Sequence, residues 1–304
     1  MNLIRLFLFI PILLIIYCGP KPTNTEKING IPMIRITKVF FKMGDKYSKA
    51  INDKPVREKE VYPFYISSTE ITNAQYAAFL NDAYLKNDIT LQAEKNTFFY
   101  TIIGKKEPCV GRHLVYWINS SGADNSPSWL TFKNNSFGVV AGKEKLPVIS
   151  VTWYGAYAFA QNYGFRLPTE AEWECAARGG KSYFFGTKSG KADQSGVLLN
   201  YNNIISEPVN VGSYPPNPFG IYDMSGNVRE WCLDRYESLF YSKSPEKNPY
   251  NKLNPLFEDD RVVRGGAFDA PYSLCKANSR EHANPGKYDK KTGFRVVKSF
   301  YKIE

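Results

Sequence analysis

Cys275 and His282 are the residues of this chain whose types could do chemistry, and both lie in one polar segment. Cysteine and histidine are common nucleophiles and metal ligands in proteins. The segment opens with Gly265-Gly266 and closes with Gly293-Phe294-Arg295. The pattern leaves two possibilities open: the segment carries a reaction, or it presents a surface that binds a ligand.

The other cysteines do not complete a metal site by their spacing. The chain has two histidines and five cysteines, which are Cys18, Cys109, Cys175, Cys232 and Cys275. No two cysteines form a CxxC pair, and two histidines cannot complete a Cys/His zinc site. The spacing also predicts no disulfide connectivity.

Composition indicates a globular protein with a basic surface. The 304 residues are 43% apolar and 15% aromatic, which is enough for a substantial core in one large domain or two small ones. The net charge is +10, but lysines and arginines are scattered among acidic residues. We therefore expect no nucleic-acid partner, and a mild attraction to anionic membrane headgroups instead.

The first residues indicate export and a lipid anchor. Residues 1–18 combine Arg5 with an apolar run that is shorter than a membrane-spanning helix and contains Pro11. The run ends at Cys18 and resembles a bacterial lipoprotein signal, although Tyr17 stands where a small residue is usual. The alternative is a secretory signal in which Cys18 is incidental. Residues 19–31 are predicted to be a flexible tether, which would hold the protein in the cell envelope at a membrane.

Strands and loops must position the polar segment. Val39 to Gly44 and Val61 to Ile66 are predicted strands, because apolar, aromatic and β-branched residues dominate them. Residues 83–145 are predicted to be irregular surface structure with short strands.

Three helices are predicted from their start and stop signals. The first begins at Thr72 with Gln75 three residues later, and is expected to end near Asn81-Asp82. The second runs from Trp153 to Tyr163 between a Thr152 cap and Gly164. The third follows Thr169, with Glu172 completing a capping box and Gly179-Gly180 ending the helix.

Several stretches in the same order resemble the formylglycine-generating enzyme, or sulfatase-modifying factor, family. They are Phe64-Tyr65-Ile66, Glu70 to Tyr76, Pro147 to Trp153, Arg166 to Glu174, Asp223 to Trp231, Arg264-Gly265-Gly266 and Gly293-Phe294-Arg295. The resemblance implies one α+β domain over residues 32–301, related to C-type lectins and low in regular secondary structure.

The resemblance also implies an oxidase that only part of this sequence matches. Enzymes of the family convert a cysteine of a sulfatase to formylglycine, using copper(I) held by two cysteines. Copper(I) is a soft ion that two thiolates hold well. Here Cys275 matches the first position and Arg280 occupies the second. Cys275 is therefore either a catalytic thiol or a small buried residue.

A calcium site is implied in the loop that precedes the Gly-Gly pair. The family binds Ca²⁺ there through a side chain, two backbone carbonyls and a glutamate. The matching positions are Asp223, Gly226, Val228 and Glu230. Hard oxygen ligands in a tight turn suit Ca²⁺. Alternatively, the two carboxylates only accept hydrogen bonds from backbone N–H groups.

Three functions follow from these observations. The first is a non-catalytic, lipid-anchored module that binds a protein or a glycan. The second is a formylglycine-generating oxidase, and the third is another enzyme built on the same scaffold. In the first, the polar segment is either a solvated loop or the ligand-binding surface. Its candidate contact residues are Asp269, Tyr272, Asn278, His282, Asn284 and Tyr288.

Overall fold

The computed structural model describes residues 25–93, 99–119, 128–192, 198–252 and 259–300. The predicted leader 1–18, including Cys18, lies outside these ranges. The helices are α1 Asn73–Leu85, α2 Trp153–Asn162, α3 Glu170–Arg178 and the short α4 Phe240–Lys243. No helix in these ranges is long and apolar enough to cross a membrane.

Strands outweigh helices, as the α+β prediction implies. In chain order they are β1 Thr25–Ile28, β2 Ile31–Ile36, β3 Val39–Met43, β4 Arg57–Val61, β5 Phe64–Ser67, β6 Ile89–Ala93, β7 Phe99–Gly104, β8 His113–Asn119, β9 Leu130–Lys133, β10 Ser136–Val139, β11 Arg229–Arg235, β12 Arg261–Arg264, β13 Glu281–Ala283, β14 Thr292–Gly293 and β15 Val297–Ser299. They form sheets in the orders β1-β2-β5-β15, β10-β9-β8-β7-β6, β13-β12-β11-β14 and β3-β4.

The folded part of the chain begins earlier than the predicted boundary at residue 32. β1 pairs with β2, so the end of the predicted tether 19–31 is a β-hairpin. Asn29 and Gly30 at its turn have φ of 47° and 82°. Two positive φ values are the signature of a type I′ turn, for which Asn-Gly is the favoured sequence. The Asn-Gly turn signal is in the sequence, but the polar residues around it are not typical of strands.

Two predicted segments differ from the structure in detail. The strand predicted from Val61 to Ile66 is interrupted, because β4 ends at Val61 and β5 begins at Phe64. Pro63 between them has no N–H to donate to a ladder. The region 83–145 is more regular than predicted, since it contains the five-stranded sheet β10-β9-β8-β7-β6.

The helix starts are confirmed, and one helix end is not. Thr72 and Gln75 form a capping box at the start of α1, and Thr152 caps α2. α1 continues past Asn81 to Leu85. The Asn81 side chain exchanges two hydrogen bonds with the backbone of Phe137, so it does not compete for the backbone of its own helix.

The start of α3 offers a direct stability test. Thr169 accepts from the Glu172 N–H, and the Glu172 carboxylate accepts from the Thr169 N–H, at 3.2 and 2.9 Å. We expect Thr169→Ala to lower the free energy of unfolding by about 1 kcal/mol, because it removes the hydroxyl acceptor. Thr169→Ser keeps that acceptor and should stay within a few tenths of the parent. Urea denaturation measures both, and equal losses would contradict the capping role.

Two reciprocal hydrogen bonds fix β11 against the segment that leads into α2. Trp231 donates from Nε1 to the Val151 carbonyl at 3.1 Å, and Trp153 donates from Nε1 to the Cys232 carbonyl at 2.8 Å. Both indoles are buried in the larger apolar core, with side chains of α1, α2 and β8. Buried indoles of this kind need an acceptor, and here each also holds a neighbouring chain in place.

Candidate functional site: a buried ion network beside an open groove

The Cys275 thiol is buried and has the environment of a packing residue. It packs with Phe185, Leu199, Tyr201 and Ala270 and has no exposed surface. Burial, followed by the charges of nearby acidic residues, raises the pKa of the thiol to about 12. Because the thiolate is the form that binds metals and attacks substrates, this environment opposes both roles. Of the two alternatives for Cys275, a catalytic thiol or a small buried residue, this environment favours the small buried residue.

Gly266 makes this close packing possible. Its φ is +68°, and a Cβ built on it would lie 2.7 Å from the Cys275 sulfur. A side chain at position 266 would therefore collide with the thiol. The second glycine of the Gly-Gly pair is thus explained by packing against Cys275.

Arg280, at the second cysteine position, is held by the carboxylate of Glu170 and by backbone carbonyls. Its Nε donates to Glu170 Oε1 at 2.6 Å and its Nη2 donates to Glu170 Oε2 at 2.9 Å. Its Nη1 also donates to the carbonyls of Asn52 and Glu237. The guanidinium thus ties the polar segment to the first turn of α3 and to two loops.

The residues present do not fit copper. A single protonated thiol is a poor ligand for copper(I), and a guanidinium at the partner position opposes a cation. Throughout the described ranges, no three His, Cys, Asp or Glu side chains are grouped to hold a metal ion. No reaction step through copper can be derived from this arrangement.

Arg280 belongs to a larger buried ion network between α3 and β12. Arg264 donates from Nη1 to Glu170 at 3.0 Å and from Nη2 to Glu174 at 2.6 Å. Arg178 donates to Glu174 from Nε and Nη2 at 2.9 and 2.8 Å. Glu170 and Glu174 are four residues apart, which places them on one face of α3. That spacing is a sequence signal for such a network, although the sequence predicts these residues only as part of a family motif.

The predicted calcium loop is engaged in internal bonds. Glu230 Oε2 accepts from Arg295 Nε at 2.6 Å and from Trp173 Nε1 at 2.8 Å, and its Oε1 accepts from Arg295 Nη2 at 2.8 Å. A guanidinium so close to both oxygens opposes a second cation at this carboxylate. Glu230 therefore does not fit the implied ligand set as the side chains are arranged.

The backbone positions of that loop have structural roles. Gly226 has a φ of +81°, and a Cβ on it would lie 2.1 Å from the Asn200 carbonyl oxygen. Its N–H donates to the Gly265 carbonyl at 2.8 Å, which joins this loop to the Gly-Gly pair. Val228 is buried against Leu146 and Ile149. These contacts explain the residue types without a metal.

Asp223 lies beside a second buried carboxyl group, Glu70. Asp223 Oδ2 accepts from the Gly212 N–H at 2.6 Å, whereas its Oδ1 and Glu70 Oε2 have no hydrogen-bond partner. Burial raises the pKa of Asp223 to about 6. Burial and then the charge of Asp223 raise the pKa of Glu70 well above its usual value. Two adjacent buried carboxyls of this kind favour holding one proton between them.

This carboxyl pair predicts a pH dependence of stability. Because the folded pKa of Asp223 lies above its unfolded value, the native state binds more protons than the unfolded state between about pH 4 and 6. The contribution of Asp223 to stability is therefore present at low pH and is lost as the pH rises through about 6. We expect Asp223→Asn to match the parent near pH 4 and to exceed it by about 2–3 kcal/mol near pH 7.

Urea denaturation in EDTA across that pH range measures this difference. Asp259→Asn, a change at a half-buried aspartate away from the pair, is the control and should show no comparable gain. A difference between Asp223→Asn and the parent that does not change with pH would contradict the proton-sharing pair.

The six predicted surface residues fall into three groups. Asn278 is buried, with 2% of its surface exposed, and its Nδ2 donates to Asp53 Oδ2 at 2.9 Å. Its prediction as a contact residue is wrong, because a buried amide needs an internal partner. Asp269 contacts Lys291, and Tyr272 is half-exposed against Phe185 with ring centroids 4.7 Å apart.

The remaining three residues, His282, Asn284 and Tyr288, line one groove of about 400 Å³. The groove is also lined by Arg229, Trp231, Asp260, Ala283, Lys287 and Asp289. We call it the β13 groove, because His282 and Ala283 belong to that strand. The structure thus brings half of the predicted surface together.

Aromatic rings and ion pairs order the walls of the β13 groove. Tyr288 stacks on Tyr116 with ring centroids 3.8 Å apart, and Tyr116 stacks on His113 at 5.0 Å. On the other side His282 stacks on Tyr236 at 4.1 Å, and its Nδ1 lies 2.6 Å from Asp260 Oδ2. Aromatic faces next to fixed polar groups are suited to binding a sugar or a peptide side chain.

Two residues that order the groove, Tyr116 behind Tyr288 and Arg229 in the lining, are not among the predicted surface residues. Tyr116 stands in the stretch predicted to be irregular surface structure, and Arg229 enters the prediction only as part of a family motif. Arg229 contacts Asp289 at 2.5 Å and Glu281 at 3.5 Å, so it crosslinks β11 to the polar segment. No periodicity could have linked residues so far apart in the chain.

Comparison with known proteins agrees with this architecture. The family model of the sulfatase-modifying factor enzyme 1-like domain matches residues 20–300 of this chain. The formylglycine-generating enzyme of Streptomyces coelicolor is 30% identical over 286 residues, which cover 87% of this chain and 88% of that enzyme. Serine/threonine-protein kinase pkn1 of Chlamydia pneumoniae is 29% identical over 91% of this chain, which spans 40% of the length of that kinase.

The fold also matches a solved structure, PvdO from Pseudomonas aeruginosa, with a TM-score of 0.62 at 22% identity. That match covers 92% of this chain and 99% of PvdO, and it confirms a single domain with the fold that the resemblance implied. The chain therefore belongs to the family of sulfatase-modifying factor enzyme 1-like domains.

Proposed function

We propose that this protein is a non-catalytic, lipid-anchored module of the bacterial cell envelope that binds a protein or a glycan in the β13 groove. The observation that supports the proposal is the state of the two oxidase positions. Cys275 is a buried thiol with a raised pKa, and Arg280 is bound to both oxygens of Glu170. In this proposal the polar segment, which carries the chemistry in the enzymes, supports the surface of the β13 groove.

The alternative is a formylglycine-generating oxidase, which the 30% identity to the Streptomyces coelicolor enzyme favours. That reaction requires a cysteine that is accessible and readily deprotonated. To provide it, this protein would have to expose Cys275 and move Arg280 away from Glu170. Breaking a buried, bidentate ion pair leaves an uncompensated charge and is strongly unfavourable.

Copper(I) titration with thiol counting distinguishes these functions. We expect the native protein to bind no stoichiometric copper(I) through Cys275, so that Cys275→Ser titrates like the parent. Cys232→Ser is the matched control, because Cys232 is equally buried but lies on β11, away from the polar segment. One tightly bound copper(I) that is lost only in Cys275→Ser would contradict the proposal. Conversion of a CxPxR peptide to its aldehyde would establish the oxidase.

The ligand face can be tested with glycan and peptide arrays. Tyr288→Ala and Asn284→Ala change two side chains of the groove, whereas Tyr272→Ala changes a half-exposed ring outside the groove lining. For a ligand found on the arrays, we expect the groove variants to weaken binding at least about tenfold, as truncated contact residues commonly do. Binding that is retained in both groove variants and lost in Tyr272→Ala would place the site elsewhere.

The anchor belongs to the same proposal and rests on Cys18. Metabolic labelling with a fatty acid should mark the full chain and not Cys18→Ser, and the variant should leave the membrane fraction. A labelled Cys18→Ser chain, or an unlabelled parent, would contradict lipidation.

Calcium remains a separate proposal for the loop around Asp223 and Glu230. If the loop binds Ca²⁺, the thermal unfolding temperature should rise in calcium relative to EDTA and the rise should disappear in Glu230→Gln. Equal unfolding temperatures would contradict calcium binding, and they would agree with the Glu230–Arg295 ion pair.

A further inference from the structure

Arg261, at the start of β12, is a buried arginine that lacks an acceptor for part of its guanidinium. Only 5% of the residue is exposed, and both Nε and Nη1 are buried without a hydrogen-bond partner. Five arginines are buried in the described ranges: Arg178, Arg261, Arg264, Arg280 and Arg295. The other four each donate to a glutamate at 3.0 Å or less, so Arg261 is the exception.

A second arginine faces it across the sheet. Arg235 of β11 is the register partner of Arg261, so both side chains leave the same face of the sheet. The Nε of Arg235 is also buried without a partner. Its terminal nitrogens make long contacts, 3.3 Å to Glu237, 3.4 Å to the Asn251 side chain and 3.5 Å to Asp259. Three unpaired N–H groups from two like charges therefore lie together.

Nearby groups do not replace the missing acceptor. The Arg261 guanidinium lies over the Trp153 ring, 4.8 Å from its centroid, which favours the cation but accepts no conventional hydrogen bond. Burial lowers the pKa of Arg261, yet an arginine side chain stays charged in a protein. Like charges that directly oppose each other are unfavourable, and a buried charge is normally paired. Asp259 offsets part of the charge, but the buried Nε and Nη1 of Arg261 still lack an acceptor, and a buried donor without a partner is rare in a native structure and points to a missing water, ion or ligand.

We propose that Arg261 and Arg235 together bind an anionic group, a carboxylate or a phosphate, of the ligand that occupies the β13 groove. The planar forks of two guanidinium groups match the oxygens of such an anion. The position suits this role, because Asp260 precedes Arg261 and Ala283 is its register partner on β13, and both line the groove. The Arg235 side chain is 30% exposed, which leaves this end of the site open to solvent.

The inference rests on the proposed binding function and narrows its ligand to an acidic one. Among envelope components this means an acidic sugar, an acidic side chain or a phosphorylated group, which share the same oxyanion chemistry. A neutral glycan or a basic peptide would leave Arg261 unpaired.

Thermal unfolding in different anions tests the pair directly. The full chain is compared in chloride, acetate and inorganic phosphate at equal ionic strength. We expect acetate, phosphate or both to raise the unfolding temperature of the parent in a saturable way relative to chloride. The two anions also show which of the two chemistries the site prefers. Arg261→Met should lose the rise, and in chloride it should be at least as stable as the parent, because it removes an unpaired buried charge.

Two further variants complete the test. Arg57→Met removes an exposed arginine of β4 and should keep the full rise. Arg261→Lys keeps the charge without the fork, so its apparent anion affinity should fall about tenfold or more; it also substitutes for Arg261→Met if that variant fails to fold. An equal rise in the parent and in the Arg261 variants, or no rise in the parent, would overturn the proposal.

Failure of the anion site and failure of the groove are distinguishable. Tyr288→Ala should leave the rise in phosphate or acetate intact while it abolishes binding on the arrays. If phosphate or acetate raises the unfolding temperature but no ligand is found on the arrays, Arg261 is still an anion site and the proposed binding function is contradicted. An array ligand whose binding is unchanged in Arg261→Met would retain the function and reject the acidic ligand.

Discussion

Glu170→Gln is expected to lower the free energy of unfolding by about 3–5 kcal/mol, one of the two largest effects that we predict for this protein. The Glu170 carboxylate accepts hydrogen bonds from Arg280 through Nε and Nη2 and from Arg264 through Nη1. The glutamine amide is close in size, so packing changes little. What is lost is the negative charge that compensates two buried guanidinium groups.

The magnitude follows from burial. The side chains of Glu170, Arg264 and Arg280 are each at most 1% exposed, so water cannot replace the lost carboxylate. Removing one member of a buried charged group is far more damaging than removing an exposed ion pair, which contributes at most about 1 kcal/mol. Glu174 still faces Arg264 at 2.6 Å, so the uncompensated charge resides mainly on Arg280.

Urea denaturation at neutral pH measures the loss, with Glu58→Gln as the control. Glu58 lies on the exposed side of β4, and its change should stay within about 0.5 kcal/mol of the parent. Glu170→Gln combined with Arg280→Met removes both charges, and we expect it to recover part of the stability, which gives the coupling in a double-mutant cycle. A loss below about 1 kcal/mol in the single variant would show that the network is not compensating its charges as described.

This network explains how the polar segment is held in place. A cysteine at position 280 could not bond to Glu170, and the polar segment would lose its link to α3. With arginine there, the link also reaches the Asn52 and Glu237 carbonyls, so three parts of the chain meet at one guanidinium. The β13 groove begins immediately after this link, at Glu281–Ala283. Arg280 therefore fixes the start of the strand that carries the proposed ligand face.

The parts of the fold that sequence could predict are those set by local chemistry. Thr72, Thr152 and Thr169 start their helices where the capping patterns place them, because each cap depends on residues within one turn. The hairpin at Asn29-Gly30 is equally local, because the Asn-Gly pair by itself favours the type I′ turn that joins β1 to β2.

Long-range pairing limited the prediction of the site. Whether Asn278 is exposed depends on Asp53, and whether Glu230 is available for calcium depends on Arg295. These partners lie far apart in sequence, and no spacing rule connects them. No spacing rule identifies Arg261 either, because its importance comes from the lack of an acceptor for its Nε and Nη1 in the folded protein. Residue type and family resemblance identified the right segments, and only the fold could assign their roles.

Arg295→Met is the second substitution with a large expected effect, and its effect should depend on pH. Arg295 donates to both oxygens of Glu230 and to the Ser67 and Tyr222 carbonyls. It is also the cation nearest to the carboxyl pair of Glu70 and Asp223, whose pKa values it holds down against burial. Without it, three buried carboxyl groups would face one another with no compensating charge.

The sign of the pH effect follows from linkage. Loss of Arg295 raises the folded pKa values of Glu70 and Asp223 further above their unfolded values, so the penalty is greatest where these two acids are ionised and shrinks as they are protonated. We expect Arg295→Met to lose about 3–5 kcal/mol near pH 7 and about 1–2 kcal/mol near pH 4.5, where Glu70 and Asp223 are protonated and no longer add to the penalty. Urea denaturation at both pH values measures this. Arg35→Met, at an exposed arginine of β2, should change little at either. A loss of equal size at both pH values would mean that Arg295 acts through packing, and that its charge does not hold the three carboxyl groups together.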